Sequence, residues 1–480
     1  MSWTGALLAD STGPSVSLFH EKVKTELRDI APGNTMVVCP LEFRYGRPKI
    51  KNIFSEETRL QYILDVEAAL ADADSRLGII SPEHADMIRK SANTKIVSLA
   101  RVRDLDGQIN HEITAIIRTL AEQSGDGGKY VHLGATSNDI LDTAAALQIR
   151  DSLRIVTEDL LSLRSALADL ADKHRDTIMI GRTHGQYAIP ITFGLKMAIY
   201  SLEIHRQIER VHQMMPRICV GKMSGAVGTG AGMGPKALDI QKLVMDKLEL
   251  DIEEGPSQVV CRDRYVELIA VLSNIATSIE KIATEVRNLQ RSEIAEVSEA
   301  FDSKKQVGSS TMAHKRNPVT AENICSLARI VRGFMTPTFE SAILWHERDL
   351  TNSAAERFII PHSFILLDDI LAKSDKLVRT LVVNKERMRE NLNKAGPQVM
   401  AESVIMKLVD KGMGRQDAHE ILRSCTMECV DSGKDFKGAL KGKSLVSQML
   451  CDEEIEQCLQ PESYLGTTSK TIDNILAKYK

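Results

Sequence analysis

Apolar residues return at alternating intervals of three and four through the middle of this chain. Leu153, Val156, Leu160, Leu163, Leu167 and Leu170 form one such series, and Leu268, Leu272, Ile275, Ile279, Ile282, Val286 and Leu289 form another. A mean period near 3.5 residues, sustained in each, predicts long helices packed at shallow angles, as in a bundle. Nearer the start, Leu60, Ile63, Leu64, Ala68 and Leu70 lie close to one helical stripe, so a helix is expected from Ser55 onward. Two more are expected at 192–213, opening after Pro190, and at 319–333, after Pro318. A further apolar stretch, punctuated by Pro361, ends near Val383. The expected fold is all-α, with a long-helix bundle over 135–382. An N-terminal helical domain would cover 1–134, its first 38 residues forming a Gly- and Pro-punctuated extension. The tract Gly125–Gly128 reads as a plain loop before the bundle. Past Lys385, Gly396, Gly412, Gly414 and Gly433 cut the sequence into small helices, the mark of a separate C-terminal domain over 383–480. No repeat of about 20 to 50 residues is present.

Composition supports this class. The 480 residues exceed one simple core, and aromatics are only 4%, which favours helix on helix over a β-sandwich. A formal net charge of −4 supplies no bulk field for nucleic acid, so an anionic substrate would be held by a few placed Arg and Lys. Eight cysteines are scattered without a CxxC pair, and read as reduced thiols of a cytoplasmic protein. The first residues lack a basic start and a long apolar core, so no secretory signal is expected. No apolar run approaches the roughly 18 residues of a membrane span.

Four segments break the bundle pattern with glycines and polar residues, and such local conflicts tend to mark functional sites. Gly308–Pro318 (GSSTMAHKRNP), followed by Glu322, crowds hydroxyls, cations, a histidine and an asparagine into one loop. Alone it could be a solvated basic turn. As a site it would offer Ser309 or Ser310 as nucleophile or base and Lys315 and Asn317 as anion binders. Thr177–Gly185 (TIMIGRTHG) carries Arg182, Thr183 and His184 onto a Gly-flanked turn. A lone histidine is usually structural, but here an imidazole titrating near neutrality suits a general acid. In Tyr130–Asp142, Thr136 and Ser137 precede a helix over 140–172: they would cap it, and the helix N-terminus would also seat a carboxylate or phosphate. Trp345–Arg357 places Ser353 between Arg348 and Arg357, which reads as a charged helix face or as a phosphate clamp. Gly225–Gly234 lacks the GK[ST] of a nucleotide loop and reads as a flexible loop or lid. His111 opens HEITA, which lacks the second histidine of a zinc motif, so no metal is implied.

Taken in order along the chain, these pieces resemble the fumarase/aspartase superfamily, whose loop signature is GSSxMPxKxNP. Within it they are most similar to the adenylosuccinate lyase family over residues 43–380. The supporting segments are FRYGRP (43–48), NHE (110–112), VHLGATSND (131–139), GRTHG (181–185), GKMSGAVGT (221–229), QVVCRDR (258–264), the loop at 308–318, and HERDLTNSAAER (346–357). The last resembles that family's nucleotide-phosphate site.

That resemblance implies a cofactor-free, metal-free carbon–nitrogen lyase and a homotetramer whose sites are shared between subunits. It also implies phosphorylated succinyl-purine substrates, with no nucleic acid or membrane partner: adenylosuccinate going to AMP, the succinyl-carboxamide ribotide SAICAR to AICAR, each with loss of fumarate. Ser309 would be the base and His184 the acid, with Lys315 and Asn317 on the anionic intermediate. His111 would be an active-site histidine and Glu322 a carboxylate beside the acid. Arg44, Tyr45, His132, Thr136, Ser137, Gln258, Arg348, Ser353 and Arg357 would bind substrate. Two residues depart from the pattern: Ala313 stands where proline is usual, which would loosen the loop, and Glu112 stands where aspartate is usual. The alternatives are another superfamily member, a carboxymuconate cycloisomerase or argininosuccinate lyase, or a helical scaffold without chemistry.

Overall fold

The computed structural model describes residues 38–301, 312 and 314–479. They divide into two units, one of the described residues up to Tyr45 and one of those from Gly46 onward. In the first, a short helix Pro40–Phe43 ends where the Pro40 carbonyl accepts from the Arg44 and Tyr45 amides, at 2.9 and 3.1 Å.

The second unit is built on six long helices: α1 (Glu56–Arg76), α2 (Ser137–Lys173), α3 (Phe193–Ile218), α4 (Asp263–Leu289), α5 (Val319–Gly333) and α6 (Ser353–Arg379). α2 packs on α3 and α6, and α4 on α3, α5 and α6, which makes the expected bundle. Every residue of both heptad series is buried, because a 3.5-residue period keeps one stripe facing its neighbours along the whole helix. On α1, Leu60, Ile63, Leu64 and Leu70 are buried and Ala68 is half-buried. Ser55 caps α1 by accepting from the Thr58 amide at 3.2 Å, and Thr192 caps α3 through the Leu195 amide at 3.1 Å. α3 runs past the expected 213 to Ile218, and α6 runs through Pro361, since packing on both sides outweighs one lost backbone hydrogen bond. Gly125–Tyr130 is a 3-10 helix rather than a plain loop: a side chain at Gly128 would collide with the Ala121 carbonyl.

Past the bundle the chain forms further helices, among them Lys385–Ala395, Ala401–Asp410 and the longer Arg415–Ser432. Val404, Leu408, Leu422, Cys425, Phe436 and Ile455 make a local core for them. The described strands form three two-stranded pairs. One is an antiparallel hairpin, β1 (Ile178–Thr183) with β2 (Gln186–Thr192). No helix among the described residues is long and apolar enough to cross a membrane.

The carboxyl of Asp74 on α1 is buried, one oxygen has no hydrogen-bond partner among the described residues, and burial pushes its pKa up to about 7. An acid whose folded pKa exceeds its unfolded value costs stability as pH rises from the unfolded value to the folded one. Asp74→Asn is therefore expected to raise the thermal midpoint at pH 8, with the gain shrinking as pH falls from 7 toward 4. A midpoint difference independent of pH would refute this.

Candidate functional site

The first part of the site is the N-terminus of α2. Thr136 is its extended N-cap residue, and its amide donates to the Asp139 carboxylate at 2.8 Å. Asp139 also accepts from the amides of Ser224 and Gly225, both at 2.9 Å, and from the Lys222 ammonium. Asp139 and Lys222 are fully buried. This one carboxylate therefore ties the Thr136–Ser137 turn to the segment GKMSG. Thr136 and Ser137 are half-buried at the positive end of a 37-residue helix, a seat suited to a carboxylate.

The Gly225–Gly234 loop is wedged rather than lid-like. A side chain at Gly134 would stand 2.9 Å from the Gly232 carbonyl, one at Gly228 would collide with the Pro256 carbonyl, and Ala226 accepts from Gln258 Nε2 at 3.0 Å. Glycines are needed where the backbones of Gly134 and Gly228 meet their neighbours this closely.

A cavity of about 440 Å³ gathers the predicted clamp: Arg348, Ser353 and Arg357 line it together with Arg59, Glu112 and Arg262. Ser353 is the first residue of α6, while Trp345–Asn352 is irregular, so Arg348 does not sit on a charged helix face. Arg348 donates to Gln258 Oε1 at 2.9 Å, which joins Gln258 to the clamp, and its Nε is buried without a partner among the described residues. Glu112 accepts from Arg59 and, at 3.4 Å, from Arg357. Beneath lies a pair that reading the sequence missed. Arg262 bonds Asp142 bidentately, both contacts 2.9 Å, and Glu356 at 2.7 Å. Burial opposes the Arg262 charge, but Asp142 and Glu356 outweigh it and hold its pKa well above the ordinary value. Burial raises the Glu356 carboxyl.

His184 and Gly185 form the two-residue turn of the β1–β2 hairpin, with φ of 54° and 76°. Positive φ at both centres is the type I′ form of a two-residue hairpin turn, and histidine occupies one of them at a cost in strain. The turn is exposed, and its root is held by Arg182, whose guanidinium meets buried Glu296 at 2.7 and 2.9 Å. Asn391 donates to the same carboxylate at 2.9 Å.

Lys315, Asn317 and Glu322 line another cavity, of about 770 Å³, together with Arg287, Arg291 and His314. Glu299 accepts from the Thr320 and Ala321 amides at 3.2 and 2.7 Å and so caps α5 where the loop ends. Ser309 lies outside the described residues, as do Ser310 and Ala313. His111 is exposed at the N-cap of helix Glu112–Gln123, its Nδ1 facing Thr114 Oγ1 at 3.0 Å. His132 has a φ of 65° and meets Glu67 at 2.7 Å. Arg44 and Tyr45 lie in the first unit, the guanidinium 5.9 Å from the ring centroid. A single chain thus collects the Arg348–Ser353–Arg357 set in one cavity and Lys315, Asn317 and Glu322 in another, with His184 on a hairpin tip lining neither.

A family described as lyase matches residues 42–333, and one described as adenylosuccinate lyase C-terminus matches 397–475. The adenylosuccinate lyase of Pyrococcus abyssi is 47% identical over 92% of this chain and 98% of its own length. Those of Methanothermobacter thermautotrophicus and Aquifex aeolicus are 46% and 40% identical, over 92% and 88% of this chain and 98% and 96% of their own. Among solved structures, a fumarate lyase from Mesorhizobium sp. BNC1 superposes with a TM-score of 0.82 at 33% identity, covering 90% of this chain and 98% of that one. The 3-carboxy-cis,cis-muconate lactonizing enzyme of Pseudomonas putida gives 0.81 at 31%, covering 91% and 97%. The all-α bundle is shared with these structures, and with matches along nearly its whole length the chain belongs to the adenylosuccinate lyase family.

Proposed function

We propose that this chain catalyses β-elimination of fumarate from adenylosuccinate, giving AMP, and from SAICAR, giving AICAR. The observation that carries the reading is the convergence of Arg348, Ser353 and Arg357 on one cavity at the start of α6. Two guanidiniums, a hydroxyl and a helix N-terminus suit a phosphate, which the substrate of a muconate cycloisomerase lacks. The match of residues 397–475 to the adenylosuccinate lyase C-terminus favours the same choice.

In this reading Ser309 removes a proton from the succinyl carbon β to the amine. The electron pair moves into the adjacent carboxylate as an aci-anion, which Lys315 and Asn317 stabilise, with Arg287 and Arg291 adding positive potential. The pair then returns to form the fumarate double bond as the carbon–nitrogen bond breaks, and His184 protonates the departing nitrogen. Thr136 and Ser137 hold a succinyl carboxylate; Arg44, Tyr45, His132 and Gln258 hold the nucleotide; His111 and Glu322 complete the site. Preorganised charge where the aci-anion develops is the largest expected contribution. Because acid, anion binders and phosphate clamp occupy separate places on one chain, we propose that the working site is assembled from several copies in a homotetramer. The cytoplasm is its proposed location, which suits eight cysteines scattered without a CxxC pair.

Purified protein supplied separately with adenylosuccinate, SAICAR and argininosuccinate is expected to release fumarate from the first two only. No turnover of adenylosuccinate at micromolar enzyme would sink the reading.

A further inference from the structure

We infer that Glu67 is a positioning residue that sets which ring nitrogen of His132 faces the substrate, an inference that rests on the function proposed above. Glu67 is on α1, 65 residues before His132, and its side chain is completely buried. One carboxylate oxygen lies 2.7 Å from His132 Nδ1, and the other meets no hydrogen-bond partner among the described residues. A lone buried carboxylate is costly, as Asp74 on the same helix shows, but Glu67 has a partner for one of its oxygens. The partner here is a histidine in the left-handed region, with φ 65°, on the turn that leads to Gly134 and Thr136. The imidazole is itself largely covered, its side chain 16% exposed.

The chemistry follows from the inventory of each group. An ionised carboxylate only accepts, so the nitrogen beside it must carry a proton. Free neutral histidine in water carries its proton mostly on Nε2; Glu67 reverses that preference and puts it on Nδ1. Nε2 is then the bare nitrogen and can only accept a hydrogen bond. An acceptor at that place suits a hydroxyl or N–H of the nucleotide and not its phosphate, which the Arg348–Ser353–Arg357 cavity serves. The left-handed backbone at residue 132 and the carboxylate at Nδ1 hold the ring from two sides, so its direction is set before substrate arrives.

The test is a double-mutant cycle in the full-length enzyme, with kcat and KM for adenylosuccinate measured at pH 8. Glu67→Leu is expected to lower kcat/KM by about 10- to 100-fold, the usual cost of removing a partner that orients a functional histidine. The loss should fall mainly on KM, and Glu67→Gln, which keeps an accepting oxygen, should recover part of it. In a His132→Ala background Glu67→Leu should cost little more, because its route to the substrate is gone. Equal losses in both backgrounds would make Glu67 merely structural and overturn the inference. So would an unchanged kcat/KM in Glu67→Leu. If Glu67→Leu does not fold, Glu67→Gln and His132→Ala complete the cycle with the same criterion. A wild-type enzyme that releases no fumarate defeats the functional reading itself, whereas additivity in an active enzyme defeats only the role of Glu67.

Discussion

Ser309→Ala is expected to lower kcat for adenylosuccinate by about 100- to 10,000-fold while substrate binding stays measurable, as is usual on losing a general acid or base. A serine hydroxyl is a poor base, and it gains strength only where positive potential favours its alkoxide. In the proposed site that potential would come from cations at the described end of its loop and beside it. Lys315 lines a cavity with Arg287 and Arg291, and Gln290 holds the Arg316 carbonyl at 3.2 Å. His184→Gln should cause a loss of the same order. Glutamine is polar and of similar length but offers no proton near neutral pH, so the nitrogen would leave as a strong base. Single-turnover fumarate release, measured beside equilibrium binding, separates chemistry from affinity. Wild-type turnover in Ser309→Ala would move the base elsewhere, Ser310 being the first alternative. If the site is shared between copies, mixing the two inactive variants and letting subunits exchange should restore part of the activity.

Lys222→Met is expected to destabilise the protein by about 3–5 kcal/mol, the range for a buried ion pair that loses one partner. Lys222 and Asp139 are both completely buried, so no water replaces the ammonium when it is removed. The three amides on Asp139 would remain, but their partial charges do not balance a full carboxylate in a dry interior. Asp139→Asn in the same chain should restore much of the loss, since it removes the stranded charge and keeps an accepting oxygen. Urea midpoints of the wild type, the single variant and the double variant check this. A Lys222→Met midpoint equal to wild type would show that the pair carries no stability. Activity should fall in the single variant as well, because Asp139 tethers Thr136 to Ser224 and Gly225.

Arg47 shows why such pairs escape a linear reading. It follows Gly46 in the FRYGRP segment and looks like one more exposed cation. It is pinned between Asp368 and Asp159, and its pKa is raised chiefly by the hydrogen bond to Asp368, with the Asp159 charge adding to it. At Gly46 itself φ is +84°, and a side chain there would collide with Ile365, so two residues of that segment serve the fold. His111 is similar: its ring faces Thr114 and caps a helix, a task that any N-cap residue can signal and that leaves its chemistry open.

The bundle was legible along the chain, because a period near 3.5 is a local property that any long helix must show to bury one face. So were the polar segments at the helix ends, since glycine, proline and capping residues act within a few positions of where they stand. His184 next to Gly185 was legible as a turn for that reason. Which charges are interior partners became visible only in the folded chain. Asp139 meets Lys222 across 83 residues, Asp142 meets Arg262 across 120, and Glu67 meets His132 across 65. Each acid sits in a helix where its spacing looks like that of any solvated carboxylate. Only the approach of a distant segment removes the water, and with it the choice of being unpaired.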